Sequence, residues 1–239
     1  TLLLATGNVG SYGTGANIFR GHCNVQGATD IGLDITSLPL YYGLVEGAWK
    51  HWARVWEVDY DYFQSRFDEV PAKAGRPART RKQNMELPGI PWTRWFDATL
   101  ANPDDVDQRD VVKGVVIMGH GGNTVPRMTE MVKGLEKLEL LVVADPHPTT
   151  FAAISDRKNG TYLLPACTQF ETSGSRTASN RSLQWGEQIV KPIFESKDDY
   201  EIIYRLSTKL GFADRMFKNI KVENNRPLPE DVLREINRG

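Results

Sequence analysis

The stretch from Val115 to Asp145 constrains the fold more than any other part of the chain. Val115-Val116-Ile117-Met118 is a short apolar run, Gly119-His120-Gly121-Gly122-Asn123 breaks it, and Met128 to Leu138 has helical spacing. Leu140-Leu141-Val142-Val143 is a second apolar run that ends at Ala144-Asp145-Pro146. Strand, loop, helix and strand in about 30 residues is a βαβ unit, which requires a parallel sheet and a right-handed crossover. The expected fold class is therefore α/β. In such sheets ligands lie beyond the carboxyl ends of strands, so residues 119–124 and 145–150 are selected as candidate binding loops. A third strand, Tyr162-Leu163-Leu164, is expected to stop at Pro165. Asp199 to Leu210 reads as a helix with Ile202, Ile203, Leu206 and Leu210 on its buried face and Gly211 as its stop.

The segments before this unit have different characters. Residues 1–32 hold seven glycines, at positions 7, 10, 13, 15, 21, 27 and 32, interleaved with amide and acidic residues. That mixture favours a loop system that brings backbone close to a ligand. Val45, Trp49, Trp52 and Trp56 recur at helical spacing, which reads as the packed face of an amphipathic helix in preference to a stacking platform, with Lys50 and Arg54 toward water. Residues 70–92, interrupted by Pro71, Pro77, Pro88 and Pro91, read as loop. The basic run there, Arg76, Arg79, Arg81 and Lys82, reads as a solvated surface loop, with docking to an acidic partner as the alternative.

Composition removes several classes. The 29 Lys and Arg balance 30 Asp and Glu, so no global basic field exists to hold nucleic acid or anionic lipid. Cys23 and Cys167 are the only cysteines, too few for a disulfide framework, a four-cysteine zinc site or an iron–sulfur cluster within the chain, and a reducing, cytoplasmic setting is expected. The longest apolar run, Leu140 to Ala144, is far below the roughly 20 residues of a membrane span. The apolar opening, Leu2-Leu3-Leu4-Ala5, has no basic segment ahead of it and does not read as a signal peptide. A chain that starts on Thr1 inside such a run is expected to be a piece of something longer.

The glycines of 119–122 would let backbone N–H groups approach a phosphate, with a helix start following, although such loops as often merely turn the chain. His120 fits a turn residue with a satisfied ring better than a ligand, and Gly13-Thr14-Gly15 is a weak nucleotide motif. Zinc-protease, serine-hydrolase and cysteine–histidine signatures are missing from the sequence. Arg20, between Phe19 and Gly21, can clamp a carboxylate or phosphate bidentately or form a structural ion pair.

Taken together, Thr6-Gly7-Asn8-Val9-Gly10, Gly13-Thr14-Gly15-Ala16-Asn17 and Arg20-Gly21-His22-Cys23-Asn24-Val25-Gln26-Gly27 with Asp30 resemble the large subunit of molybdenum or tungsten formate dehydrogenases. These belong to the bis-molybdopterin guanine dinucleotide oxidoreductases. Val115 to Gly119, Val142 to Asp145 with Thr149-Thr150, Leu163-Leu164-Pro165, and Glu171, Gly174, Arg181, Gln184 and Asp199-Tyr200 keep the family's order. The loop Gly119-His120-Gly121-Gly122-Asn123 departs from the family's usual glycine, acidic residue, Asn or Asp and proline, and Thr161 stands where an Asp is common.

The resemblance implies a Rossmann-like parallel sheet with helices on both faces, incomplete because the chain is a fragment. Residues 1–32 would end one cofactor domain and carry an active-site loop. Residues 33–110 would be a helical and loop insertion, 111–212 the guanine-dinucleotide segment, and 213–239 an extension. It implies a bis-molybdopterin guanine dinucleotide carrying Mo or W, with a 4Fe-4S cluster and the metal's own protein ligand upstream of Thr1, so no metal ligand is assigned here. Formate would be the substrate, and the rest of the alpha subunit and electron-transfer subunits the partners. Arg20 would face the substrate, and His22 would contact the pterin or tune the pocket. Gly21, Gly119, His120, Gly121, Asn123, Thr124, Ala144, Asp145 and Asp199 would hold the cofactor. A nitrate-reductase-type enzyme and a non-catalytic cofactor-holding or assembly fragment are the alternatives.

Overall fold

The computed structural model describes residues 1–16, 21–73 and 75–239. After the single turn α1 (Leu2–Ala5), the glycine-rich segment reaches α2 (Val25–Asp30), which starts from Asn24 in a left-handed conformation. Buried Gln26 anchors this helix: its amide donates to Asp30 (2.8 Å) and to the Tyr41 hydroxyl, which itself donates to Asp30 (2.6 Å). Arg20 and Asn17 lie outside the described residues.

The aromatic stripe forms α3 (Glu46–Val55). Trp52 is fully buried against Leu38 and Ala48, and Trp49 and Trp56 pack at its flanks. Val45 departs from the expected face: it is the N-cap in extended conformation and 61% exposed, because the helix begins one residue after it. Lys50 and Arg54 are exposed as the spacing predicts. Next comes α4 (Tyr60–Ser65), capped by the Asp59 carboxylate, whose Phe63 meets Trp49 and Trp56 at ring separations of 6.2 and 5.5 Å.

The expected 70–92 loop contains a helix, α5 (Arg81–Met85). A reciprocal capping box between Thr80 and Gln83 satisfies its first N–H groups, which offsets the prolines on either side. Its basic residues are bound within the molecule. Arg79 pairs with Asp107 and donates to Asn84, Arg76 reaches the Asp105 carbonyl, and Arg81 pairs with Glu69. Lys82 shares Glu46 with Lys50, at 2.6 and 2.7 Å, and the two ammonium groups pull the Glu46 pKa down to about 2. Lys73 adds a three-carbonyl cap, donating to Pro103, Val106 (3.2 Å) and Gln108 (2.7 Å). The run therefore fastens the 103–108 loop.

The α/β body follows: α6 (Trp95–Leu100), β1 (Gly114–Met118), α7 (Met128–Lys137), β2 (Leu140–Asp145), α8 (Thr150–Ala153) and β3 (Tyr162–Pro165). The strands are all parallel in the order β1-β2-β3, with Val116 opposite Val142 and Val142 opposite Tyr162. Helices flank the sheet. Val115, Ile117, Leu141 and Val143 point into the main core with Met131, Leu135 and Leu138, and Trp95, Phe96 and Phe151 close it. On the opposite face Val116 and Tyr162 are 49% and 62% exposed. Arg157 seals the end of α7, donating to the carbonyls of Leu135 and Leu138, the usual complement to a helix C-terminus.

A two-stranded hairpin, β4 (Gly174–Thr177) and β5 (Leu183–Gly186), meets α2: the Asn24 side chain accepts the Thr177 N–H at 2.9 Å. It leads to α9 (Asp199–Lys209), α10 (Ala213–Met216), the short pair β6 (Val222–Glu223) and β7 (Arg226–Pro227), and α11 (Pro229–Ile236). The inward face expected for α9 is corrected here. Leu206 and Leu210 are 47% and 63% exposed, while Ser207 is buried and Ile202 and Ile203 are half-buried. α9 packs on α10 and β7, and Tyr204 meets Phe217 edge to face at 5.3 Å, so the buried stripe follows those neighbours.

One of the closest approaches in the body is at Gly134 of α7. A Cβ there would lie 2.6 Å from the Phe96 Cβ of α6. Overpacking costs about 1–3 kcal/mol, more than the ~1 kcal/mol that Gly to Ala gains in helix propensity. Gly134→Ala is therefore expected to lower stability, and Gly134→Val to lower it further, read as the midpoint of urea unfolding.

Candidate functional site at the carboxyl edge of the sheet

Parallel pairing sends the loops after β1, β2 and β3 to one edge, and hydrogen bonds join them. The Gly119 N–H donates to the Ala144 carbonyl (3.0 Å), Thr150 N–H to Gly121 (3.1 Å), and Ala166 N–H to Asp145 (3.2 Å). Gly119 has φ +63°, with open space where a side chain would be. Gly122 has φ +79°, and a Cβ there would strike the Phe151 ring at 2.6 Å, so the loop lies flat on the core. The edge thus exposes backbone where a larger residue would cover it.

His120 is held as a turn residue. Its Nδ1 accepts the Gly122 N–H at 3.0 Å, and its ring packs 4.4 Å from the Trp92 ring. Desolvation by these neighbours, with a smaller charge effect from His22, holds the His120 pKa below its usual 6.5. His22 is itself exposed, as is Gly21.

Several polar groups here have no protein partner. Among the described residues, the backbone N–H groups of Gly121, Asn123 and Thr124 find no acceptor. Gly121, Asn123 and Thr124 are exposed, so water reaches their N–H groups. The Thr149 hydroxyl, at the end of the β2 loop, and the Trp92 indole N–H are the buried groups here that lack a partner, and buried polar groups are nearly always satisfied.

The start of α9 adds carboxylates. Buried Asp198 caps the helix by accepting the Glu201 N–H (2.7 Å) and pairs with Arg226, which also donates to the Thr172 hydroxyl (3.0 Å). Asp199 keeps an exposed surface, yet the protein around its carboxyl displaces water and, with the charges of Asp198 and Asp145, raises its pKa. Nearby, Glu171 accepts N–H groups of Thr168 and Ile193, both at 2.7 Å, and these bonds hold its carboxyl below the usual range.

Of the residues selected by sequence, Gly119, His120, Gly121, Asn123, Thr124 and Asp145 share this edge, while Asp199 makes no hydrogen bond to it. Ala144 is buried inside β2 with its carbonyl bonded to Gly119, so it shapes the edge without facing a ligand. Thr149 is selected only as part of the 145–150 loop, and Trp92, Asp198 and Arg226 are not selected. For Thr149 the signal was its place within the loop after β2. Asp198 is readable as an N-cap, but Trp92 and Arg226 reach the region through tertiary packing. Among the described residues no cluster of three or more His, Cys, Asp or Glu could hold a metal.

A three-stranded parallel sheet flanked by helices, with a glycine-rich loop at its carboxyl edge, defines the class as α/β. A family model described as molybdopterin oxidoreductase matches residues 1–209, and the chain belongs to that family. It is similar to the F420-dependent formate dehydrogenase subunit alpha of Methanocaldococcus jannaschii, at 29% identity over 93% of this chain and 27% of that protein. It is also similar to formate dehydrogenase H of Escherichia coli, at 28% identity over 89% of this chain and 25% of that protein. The chain thus spans about a quarter of the length of these relatives. The family implies a molybdopterin cofactor with Mo or W. No helix among the described residues is long and apolar enough to cross a membrane.

Two outcomes test this geometry. Arg226→Met leaves Asp198 buried without its cation and is expected to cost about 3 kcal/mol, measured by urea unfolding. His120 has a folded pKa below its unfolded value, so its neutral form supports the fold above pH 6.5, and that support is lost as pH falls through 6.5 toward the lower folded value. The unfolding midpoint is expected to drop over that window, with a smaller drop in His120→Asn.

Proposed function

We propose that this chain is part of a formate dehydrogenase catalytic subunit and that its sheet edge holds a guanine dinucleotide arm of a bis-molybdopterin cofactor. The observation that carries the reading is the Thr149 hydroxyl, buried without a partner on a loop that Thr150 ties to Gly121, next to the exposed N–H groups of Gly121, Asn123 and Thr124, which have no protein acceptor. Pyrophosphate oxygens are acceptors and match loop N–H groups near a glycine turn. The carboxylates of Asp145 and Asp199 supply the opposite chemistry, acceptors for the N–H edge of guanine. The donor set therefore fits the group.

The residues then divide the work. Gly121, Asn123 and Thr124 present backbone and short polar groups to the phosphates, Gly119 leaves the approach uncovered, and Trp92 and Phe151 keep His120 in place. Gly21 and His22 bring the glycine-rich segment toward the pterin. Arg20, by its resemblance to the family's substrate-facing arginine, holds the formate carboxylate with its guanidinium fork and fixes the direction of the C–H bond. When bound, the pterin-held Mo or W supplies acceptance of the two electrons released as formate becomes CO2 and a proton. A 4Fe-4S cluster and electron-transfer subunits, supplied from outside this chain, would carry those electrons onward.

The test uses the intact subunit. Thr149→Val and Gly119→Val are expected to lower pterin and metal per chain about tenfold, the effect of one lost buried hydrogen bond or of a covered approach. The readouts are fluorescence of the oxidised pterin and elemental analysis. Unchanged loading in both variants would sink the assignment of the edge. Arg20→Lys is expected to keep the cofactor and lose formate oxidation, since an ammonium lacks the bidentate fork. Assay with formate and nitrate separates the nitrate-reductase alternative, and full cofactor loading with neither activity would favour the non-catalytic one.

A further inference from the structure

A second cleft, of about 530 Å³, contains none of the sheet-edge loop residues. Its walls are aromatic and aliphatic: Trp56 and Phe63 from one side, Phe212, Met216, Phe217 and Ile236 from the other. The second group lies beyond residue 209, where the family match ends. Residues 210–239 thus supply one wall of the cleft, facing the aromatic helices.

Two arginines stand in its wall. The guanidinium carbons of Arg66 and Arg215 lie 5.9 and 4.1 Å from the centre of the Tyr62 ring, so both cations are held near one aromatic ring. Arg79, Arg157 and Arg226 are tied to carboxylates or carbonyls, whereas Arg54, Arg181 and Arg238 are not. Among the described residues, Arg66 and Arg215 make neither an ion pair nor a side-chain hydrogen bond to protein. Their N–H edges remain available for a bidentate anion. Glu235 is the acidic residue of the wall, and it forms no ion pair with either arginine.

We propose that this cleft binds a monomeric amphipathic carboxylate, its apolar chain lying between Trp56, Phe63, Phe217 and Ile236 and its head group bridging Arg66 and Arg215. The volume is in the range of small-molecule sites, which are mostly apolar with a few placed polar groups. Charge complementarity selects the occupant: an uncharged apolar molecule would leave two guanidinium groups unused, and a cationic one would be repelled. The site is independent of the sheet edge, and it stands or falls without the assignment of formate as substrate.

The test titrates the full chain with dodecanoate below its micelle concentration, with 1-dodecanol as the uncharged control, by calorimetry and tryptophan fluorescence. One saturable site is expected, with dodecanol at least about tenfold weaker, and with dodecanoate weakened at least about tenfold in the Arg66→Gln, Arg215→Gln double variant, the usual effect of losing a charged hydrogen bond. Both arginines are exposed, so the variant is expected to keep the parent's urea midpoint. Equal affinity for the acid and the alcohol, no saturable binding, or an unchanged double variant would overturn the proposal. Binding to phosphatidylglycerol vesicles without binding to monomeric dodecanoate would make this a membrane-contact surface and overturn it equally.

Discussion

The shared direction of β1, β2 and β3 is the constraint on which the site depends. Antiparallel strands would send successive loops to opposite ends, and Gly119, Asp145 and Ala166 could not be joined by hydrogen bonds. Parallel pairing needs a long return path, and α7 supplies it, lying against the sheet through Met131 and Leu135. The approach of α6 to α7 depends in turn on the missing side chain of Gly134. A contact in the hydrophobic core thereby sets where the edge loops begin.

The surrounding segments are tied together mainly by charged groups that donate to backbone. Lys73 gathers three carbonyls of the 103–108 loop, and Arg157 gathers two from the end of α7. Such groups replace water for carbonyls that have no strand or helix partner. This explains how long irregular stretches coexist with an ordered body: side chains take over the accounting that regular elements do internally. It also explains why the basic run near Arg79 does not form a free cationic surface.

The strands were readable because each apolar run is short and ends at glycine or proline, and the parallel order then followed from the helix between the first two. The edge loops followed from that order, as did most residues on them. α5 was obscured because five residues are too few for periodicity and prolines surround them, although the Thr80 to Gln83 spacing carried the cap. The inward face of α9 was misread because apolar spacing reports which residues can be buried, while the neighbours decide which are. Trp92 and Arg226 act through packing between distant segments, and nothing local marks them. Arg20, the strongest signal in the glycine-rich segment, lies outside the described residues.

The hydrogen bond from Gly122 to His120 has a consequence for what the edge can recognise. Because Nδ1 accepts that N–H, its lone pair is occupied and the neutral imidazole carries its proton on Nε2. The ring is thereby locked in one tautomer by the backbone of its own loop. Any ligand atom meeting Nε2 meets a donor: a phosphoryl or carbonyl oxygen forms a bond there, and an amino group does not. The glycine turn thus fixes the polarity of a side chain as well as the path of the chain.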